Sequence, residues 1–487
     1  MSGEIDVGAG DSVFKTARLS QTLERCCYRL GRSTATLAGI SILLGSGLIG
    51  LRLTSGRLHW SDDSAPASLA QLSGALNLLQ SFRGDPERSV PSLWSERLGV
   101  APANELWRRY GRSMWWQGWS QDGDAYLILS ASTLPAEIQG LERQRVGSME
   151  VLASDALHRQ QLLHRLKTNQ VSSTSVQPQS IFGSCLQALS EGPGVLWDAD
   201  ALATISGTLA PLLQQGREGC VQLRLQSNQL FWEGVIGRRS LRSLSHRSSL
   251  DAPATSATSN PEASSKLTLL QVDGQRIDLI LGTLLSRQII QAPLEEHYGI
   301  NGAMRSKIAD LPFSMRLQSR TSGAYKAGLQ IQLPLSGTRQ QWTSILEAVS
   351  DRLRSRGFQQ LQNVQKPGER ESPTLWHRRD DVDQTAVGGW EILKSQKGSV
   401  LSIGFGIEPA TQPFLAPLVP QTSSLRLHAD PQRLMQLGLL GGLWPQPVQR
   451  ASRLTMVIKP FNTQAASNPA RQSWWRVQGS LALSEAP

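Results

Sequence analysis

Hydrophobic and polar positions alternate with a period of two over many short runs of this chain. Val221, Leu223 and Leu225 are interleaved with Gln222, Arg224 and Gln226. Tyr325, Ala327, Leu329, Ile331 and Leu333 stand against Lys326, Gln330 and Gln332, and Trp475, Val477, Leu481 and Leu483 against Arg476, Gln478 and Ser480. Successive side chains of a strand point to opposite faces, so each run predicts an antiparallel strand with one covered and one polar face. Asp122-Gly123, between apolar runs at 115–120 and 125–130, is a two-residue hairpin signal.

The runs recur in an order: a short apolar strand reaches an Asp that starts a helix, and two alternating strands follow. Copies begin at Val195-Leu196-Trp197-Asp198, Leu269-Leu270-Gln271-Val272-Asp273 and Leu425-Arg426-Leu427-His428-Ala429-Asp430. Asp200, Asp273 and Asp430 each stand where a helix N-cap is wanted, because a carboxylate there accepts from an orphan N–H and faces the positive helix end. Pro431 suits the first helical position. A partial echo begins at Met149, and a further helix is expected over 338–356. The irregular spacing excludes a solenoid. The expected fold class is α+β, an N-terminal transmembrane helix followed by repeated strand–helix–hairpin units with antiparallel sheets.

The transmembrane expectation rests on residues 33–51, STATLAGISILLGSGLIGL, nineteen residues without a charge. As a helix this run would span about 28 Å, near the thickness of a hydrocarbon core. Arg29 and Arg32 precede it, and Arg52 and Arg57 follow. No small-residue cleavage site follows closely, which argues against a removed signal peptide. Basic residues concentrate before the run, so the N-terminus is placed in the cytoplasm and the rest across a plasma or thylakoid membrane. The expected segments are 1–32 cytoplasmic, 33–51 transmembrane, 52–237 a first extracytoplasmic α+β region, 238–266 an Arg- and Ser-rich disordered linker, and 267–487 a second extracytoplasmic α+β region.

Composition changes this picture in three respects. The net charge is +10, with 40 of the 49 basic residues Arg, spread along the chain rather than gathered in a stripe with interleaved aromatics. Nucleic acid is therefore a poor fit, while an acidic partner or an anionic surface suits the sign. Of four cysteines, Cys26 and Cys27 fall on the expected cytoplasmic side. Cys185 and Cys220 fall on the other, where either a disulfide or two free thiols fit the sequence. Of the fourteen tryptophans, Trp107, Trp115, Trp116 and Trp119 cluster, as do Trp474 and Trp475. Adjacent strand residues point oppositely, so Trp115 and Trp116 cannot share one core layer. Trp115, Trp116, Trp119, Trp474 and Trp475 are candidate partner-binding aromatics.

Positive signs of catalysis are absent. Asp380, Asp381 and Asp383 after His377 have the composition of an exposed turn. The seven histidines are scattered without a metal-ligand spacing. Neither a phosphate-cradling loop nor a nucleophile elbow occurs. No catalytic residue, metal or cofactor is assigned.

The stretch 284–335, LLSRQIIQAPLEEHYGINGAMRSKIADLPFSMRLQSRTSGAYKAGLQIQLPL, resembles uncharacterised, single-pass membrane-anchored proteins of cyanobacteria. It is also similar to a broader bacterial family of unknown function with strand–helix–hairpin units. The resemblance implies the periplasm or the thylakoid lumen and carries no site residues. The sequence thus points to a non-catalytic protein at a membrane: a scaffold, assembly factor or partner-binding module. A membrane-tethered hydrolase and a binder of anionic lipid or nucleic acid are the alternatives.

Overall fold

The structure is a computed structural model. It describes residues 64–120, 123–135, 138, 140–169, 180–198, 216–237, 267–277, 292, 295–296, 301–309, 311–321, 325–335, 339–361, 373–381, 385–395, 398–414, 425–440, 446–460 and 474–483.

In chain order the elements are α1 (Ser64–Ala75), β1 (Leu78–Arg83), α2 (Ser92–Leu98), α3 (Val100–Tyr110), β2 (Met114–Trp119), β3 (Ala125–Ser130), β4 (Arg143–Val146), β5 (Met149–Leu152), α4 (Ala156–Asn169), α5 (Ile181–Glu191), β6 (Gly194–Trp197), β7 (Glu218–Gln226) and β8 (Gln229–Gly237). They continue with β9 (Thr268–Gly274), α6 (Gly302–Ala309), β10 (Phe313–Ser319), β11 (Ala327–Pro334), α7 (Arg339–Ser355), β12 (Phe358–Gln360), β13 (Thr374–Arg378), β14 (Gly388–Ser395), β15 (Gly398–Phe405), β16 (Leu425–Ala429), α8 (Pro431–Gln436), α9 (Gln446–Gln449), β17 (Arg453–Pro460) and β18 (Trp474–Ala482).

Antiparallel pairings join these eighteen strands in one sheet, in the spatial order β4-β5-β3-β2-β1-β6-β7-β8-β18-β17-β16-β9-β10-β11-β15-β14-β13-β12. The order mirrors itself about the contact between β8 and β18. Moving outward, β7, β6, β1, β2, β3 and β5 on one side correspond to β17, β16, β9, β10, β11 and β15 on the other. The last strand of the chain is thus the seam between its two halves, pairing from Trp474↔Gly237 to Ala482↔Gln229. At about 20–25° of twist per pair, so many strands accumulate on the order of a full turn, so the sheet winds rather than lying flat.

The two faces differ in what covers them. On one face Phe82, Trp115, Leu127 and Leu129 pack under α2 and α3. Farther along, Leu223, Leu230, Trp232, Val477 and Leu481 meet Val448 of α9. Val272, Phe313, Leu333 and Leu401 meet Trp342 of α7 and Ile308 of α6. Register fixes close approaches on this face: Gly479 lies opposite Trp232, whose indole occupies the space a β-carbon would need. The opposite face is apolar only in the first half. There Leu79, Trp116, Tyr126, Ile128, Leu196, Cys220 and Val235 pack under α1, α4 and α5. Cys185 of α5 and Cys220 of β7 form a disulfide with their Cα atoms 6.1 Å apart, fastening the helix to the sheet. Ser180 caps α5, its hydroxyl accepting from Gly183 N–H at 2.9 Å.

Two expectations are corrected. The described residues do not fold as repeated α+β units with separate sheets, because all of the described strands belong to one antiparallel sheet. Alternation identifies a strand and its covered face but not its lateral neighbour. Each hairpin left alone would expose two rows of unpaired backbone groups, and edge-to-edge joining removes them. The single-pass membrane assignment, and with it the placement across a plasma or thylakoid membrane, is also without support. Among the described residues no helix is long and apolar enough to cross a membrane. The run at 33–51 itself lies outside the described residues, as do Asp200 and the 238–266 linker.

Candidate functional site

Beyond the seam, the second face turns polar. Cross-strand partners form a transverse row: Glu391, Ser402, Gln332, Ser314, Asp273, Arg426, Val457, Gln478, Glu233 and Gln222. Two residues along each strand runs a second row: Gly404, Gln330, Arg316, Gln271, His428, Thr455, Ser480, Phe231 and Arg224. In the first half the first row continues from Gln222 as Gly194, Ser81, Trp116, Ile128 and Val151, under helices.

Many of the polar side chains satisfy one another. Gln478 Nε2 donates to Glu233 Oε1 at 2.8 Å, and the Thr455 and Ser480 hydroxyls lie 2.8 Å apart. Gln318 Nε2 donates to Gln330 Oε1 at 3.1 Å. Asp273 is 6 % exposed. Its Oδ1 accepts from the Ser314 hydroxyl, and its Oδ2 from Gln271 Nε2 at 2.9 Å. Burying a carboxylate this deep is costly unless hydrogen bonds engage its oxygens.

Residues 406–414 cross this face as a strap. Gln330 Nε2 donates to the Glu408 carbonyl and Gln332 Nε2 to the Gln412 carbonyl, each at 2.9 Å. Phe414 N–H donates to Gln332 Oε1 at 2.7 Å, and Arg320 Nη1 donates to the Gly406 carbonyl. Gly404 makes room beneath, since a β-carbon there would meet the Ile407 carbonyl oxygen. The Phe414 ring centre sits 4.2 Å from the Arg316 guanidinium carbon.

Charge on this part of the face favours the cationic sign. Arg224, Arg316, Arg426, Arg453, Lys459 and Arg476 share it with Glu233, Asp273 and Glu391. Burial pulls the Arg316 guanidinium below its ordinary value, and Asp273 pulls it back. Burial likewise lowers His428, against Asp273 and with Arg426 and Arg453. Among the described residues no group of His, Cys, Asp and Glu could hold a metal ion.

The aromatics expected to meet a partner fill cores instead. Trp115 is buried on the first face, stacked on Phe82 at 4.3 Å and edge-on to Trp94 and Trp107. Trp116 is buried on the second, its Nε1 donating to the Leu189 carbonyl at 2.9 Å. Trp119 is half-buried beside Leu78, Val195 and Trp197, and Trp474 and Trp475 are buried on opposite faces of β18. A sheet covered on both sides accommodates neighbouring tryptophans without an exposed platform. Asp430 caps α8, accepting from Arg433 N–H at 3.0 Å with Pro431 behind it. Asp273 does not cap a helix; it is a strand residue bonded across to β10.

The acidic turn lies apart from the polar face. Asp380 is exposed and paired with Arg378 at 2.8 Å, and Asp381 Oδ2 accepts from Thr385 N–H at 3.0 Å; Asp383 lies outside the described residues. Ser154, Asp155 and His158 also meet, with His158 Nδ1 lying 2.7 Å from Asp155 Oδ2 and 3.0 Å from Ser154 Oγ. A hydrolytic triad divides these bonds between the two ring nitrogens. Here both converge on Nδ1, and Asp155 caps α4 through His158 N–H at 3.0 Å. Those bonds hold Asp155 below the usual carboxylate range, the backbone N–H of His158 foremost.

Sequence reasoning missed Ser314, Arg316, Arg426, His428, Gln330 and Gln332 as a group. Their signal was present as polar pairs two apart in three strands, but nothing local showed that those strands lie close together. No protein-family model, curated protein or solved structure matches the chain.

Proposed function

We propose that this protein is a non-catalytic partner-binding module whose partner presents an acidic protein surface to the polar face of β8, β18, β17, β16, β9 and β10. The observation that supports this reading most is the sidedness of the sheet. One face carries apolar side chains under helices α2, α3, α6, α7 and α9. The other carries a cross-bonded polar layer with an excess of arginine. Among the described residues, its cover in this half is the strap alone. A broad half-buried basic surface attracts acidic partners and sets their register more than it supplies raw affinity. A hydrogen-bonded layer is also pre-organised, which lowers the ordering cost of association.

The test is site-specific photo-crosslinking in the native cell, with the photoreactive residue at Thr455 or Gln478 on the polar face and at exposed Val100 as the control. The expected result is one protein crosslinked through an acidic segment from the first two positions and not from the third, with a yield that falls as salt screens the charges. Equal capture from Val100, or capture indifferent to salt, overturns the reading.

A further inference from the structure

We propose that Arg316, Arg426 and His428 form an oxyanion-binding site at the centre of the polar face, bordered by Phe414 of the strap. The inference deepens the partner-binding reading and rests on it only for the source of the oxyanion.

The geometry comes from three adjacent strands. Arg426 of β16 stands directly opposite Asp273 of β9. Arg316 of β10 and His428 of β16 both stand opposite Gln271, one on each side. Their backbones are therefore two strand spacings, roughly 10 Å, apart. Side chains of this length reach a ligand group placed between them. Asp273 acts on Arg316 and His428 through its charge, but its hydrogen bonds go to Ser314 and Gln271 and not to either arginine. Among the described residues neither arginine forms an ion pair or a hydrogen bond. Arg316 Nε is buried without an acceptor, and a buried donor in that state asks for an absent partner.

The strap explains how the site is shaped. Phe414 approaches the Arg316 guanidinium carbon through its ring, a contact that consumes none of the N–H donors. Those donors are the fork with which arginine grips a carboxylate or phosphate through two parallel bonds. The two arginines can only donate, and the one carboxylate beside them already accepts two bonds from within the sheet. A cation is therefore the wrong ligand and an oxyanion the right one. Protonation of His428 adds a third positive group. Asp273 on β9, Arg426 on its own strand, Arg453 on β17 and Arg316 on β10 are the charged groups around it, and three of the four are cations. An imidazole among cations gains its proton most readily with a bound anion, so uptake of the ligand and of a proton are coupled.

The experiment is calorimetric titration of the full-length protein at constant ionic strength with sulfate, whose charge is fixed across the pH range used, and separately with hexaglutamate. Saturable binding of at least one is expected, weakened about tenfold or more by Arg316→Gln and by Arg426→Gln. Binding should tighten as pH falls from about 7.5 to about 5.5, across the ordinary imidazole range, and His428→Gln should remove that tightening. Hexaglutamate binding with the same arginine dependence identifies polypeptide carboxylates as the source. Sulfate binding alone identifies a small free oxyanion, and the partner reading is then decided by the crosslinks. Failure of both probes to saturate, or unaltered affinity in the two arginine variants, overturns the site. Ligand-free melting shows whether each variant folds, and Arg426, which is half-buried, carries the test if Arg316→Gln does not fold.

Discussion

His428 is half-buried on β16 among Asp273, Arg426 and Arg453, and burial holds its imidazole below the ordinary value. As pH falls, the unfolded chain therefore binds this proton before the folded chain does. Stability consequently drops through the ordinary imidazole range, near pH ~6.5, and is recovered above it. Urea denaturation at several pH values should show that decline in the native protein, and His428→Gln should flatten it. An equal slope in the variant would assign the pH dependence to other groups. Cys185 and Cys220 illustrate the opposite situation, in which chemistry legible in the sequence had no legible geometry. Only the packing of α5 over β7 brings their Cα atoms to 6.1 Å, and a closed loop of this size is worth about 4 kcal/mol in the chain-entropy model.

At the scale of elements, the strap and the caps show how local chemistry is reused. Asp430 and Asp273 occupy matching places in similar sequences, yet Asp430 caps α8 while Asp273 serves inside a strand. What separates them is the next residue: Pro431 starts a helix, whereas Gly274 continues β9 with Phe313 and Leu425 in register on either side. Gln332 is 0 % exposed and holds the strap with both ends of its amide. Replacing it by Leu removes the acceptor of Phe414 N–H and the donor to the Gln412 carbonyl. Amide exchange at Phe414 should accelerate by up to about tenfold, while exchange at Leu401 in the strand below stays unchanged. Exchange at Phe414 no faster than in the native protein would mean the strap is held by other contacts.

For the whole molecule, the position of β18 decides how the chain behaves. It lies between β8 and β17, so it completes the edges of both halves at once. Truncation before Trp474 would uncover two long strand edges and the apolar side chains of Leu223, Leu230 and Trp232. The shortened protein should lose its cooperative melting and associate, as sedimentation would detect. A monomer that melts as the intact protein does would show that the halves are independent. The same connectivity implies a high contact order, and so slow folding that is complete only when β18 docks.

Alternation by itself determined which segments are strands and which of their positions share a face: the polar members of 221–226, 327–333 and 475–481 lie together on the side opposite the apolar ones. The caps at Asp430 and Ser180 are likewise local chemistry, readable from a few residues. The tertiary structure alone decided which strands are neighbours, and with that both the single sheet and the meeting of Arg316, Arg426 and His428. The reason is physical. Side-chain direction is fixed within two residues of backbone, whereas an edge-to-edge hydrogen-bond ladder is nearly indifferent to which strand supplies it. Only the packing of helices over whole faces selects one order of strands from the many that alternation permits.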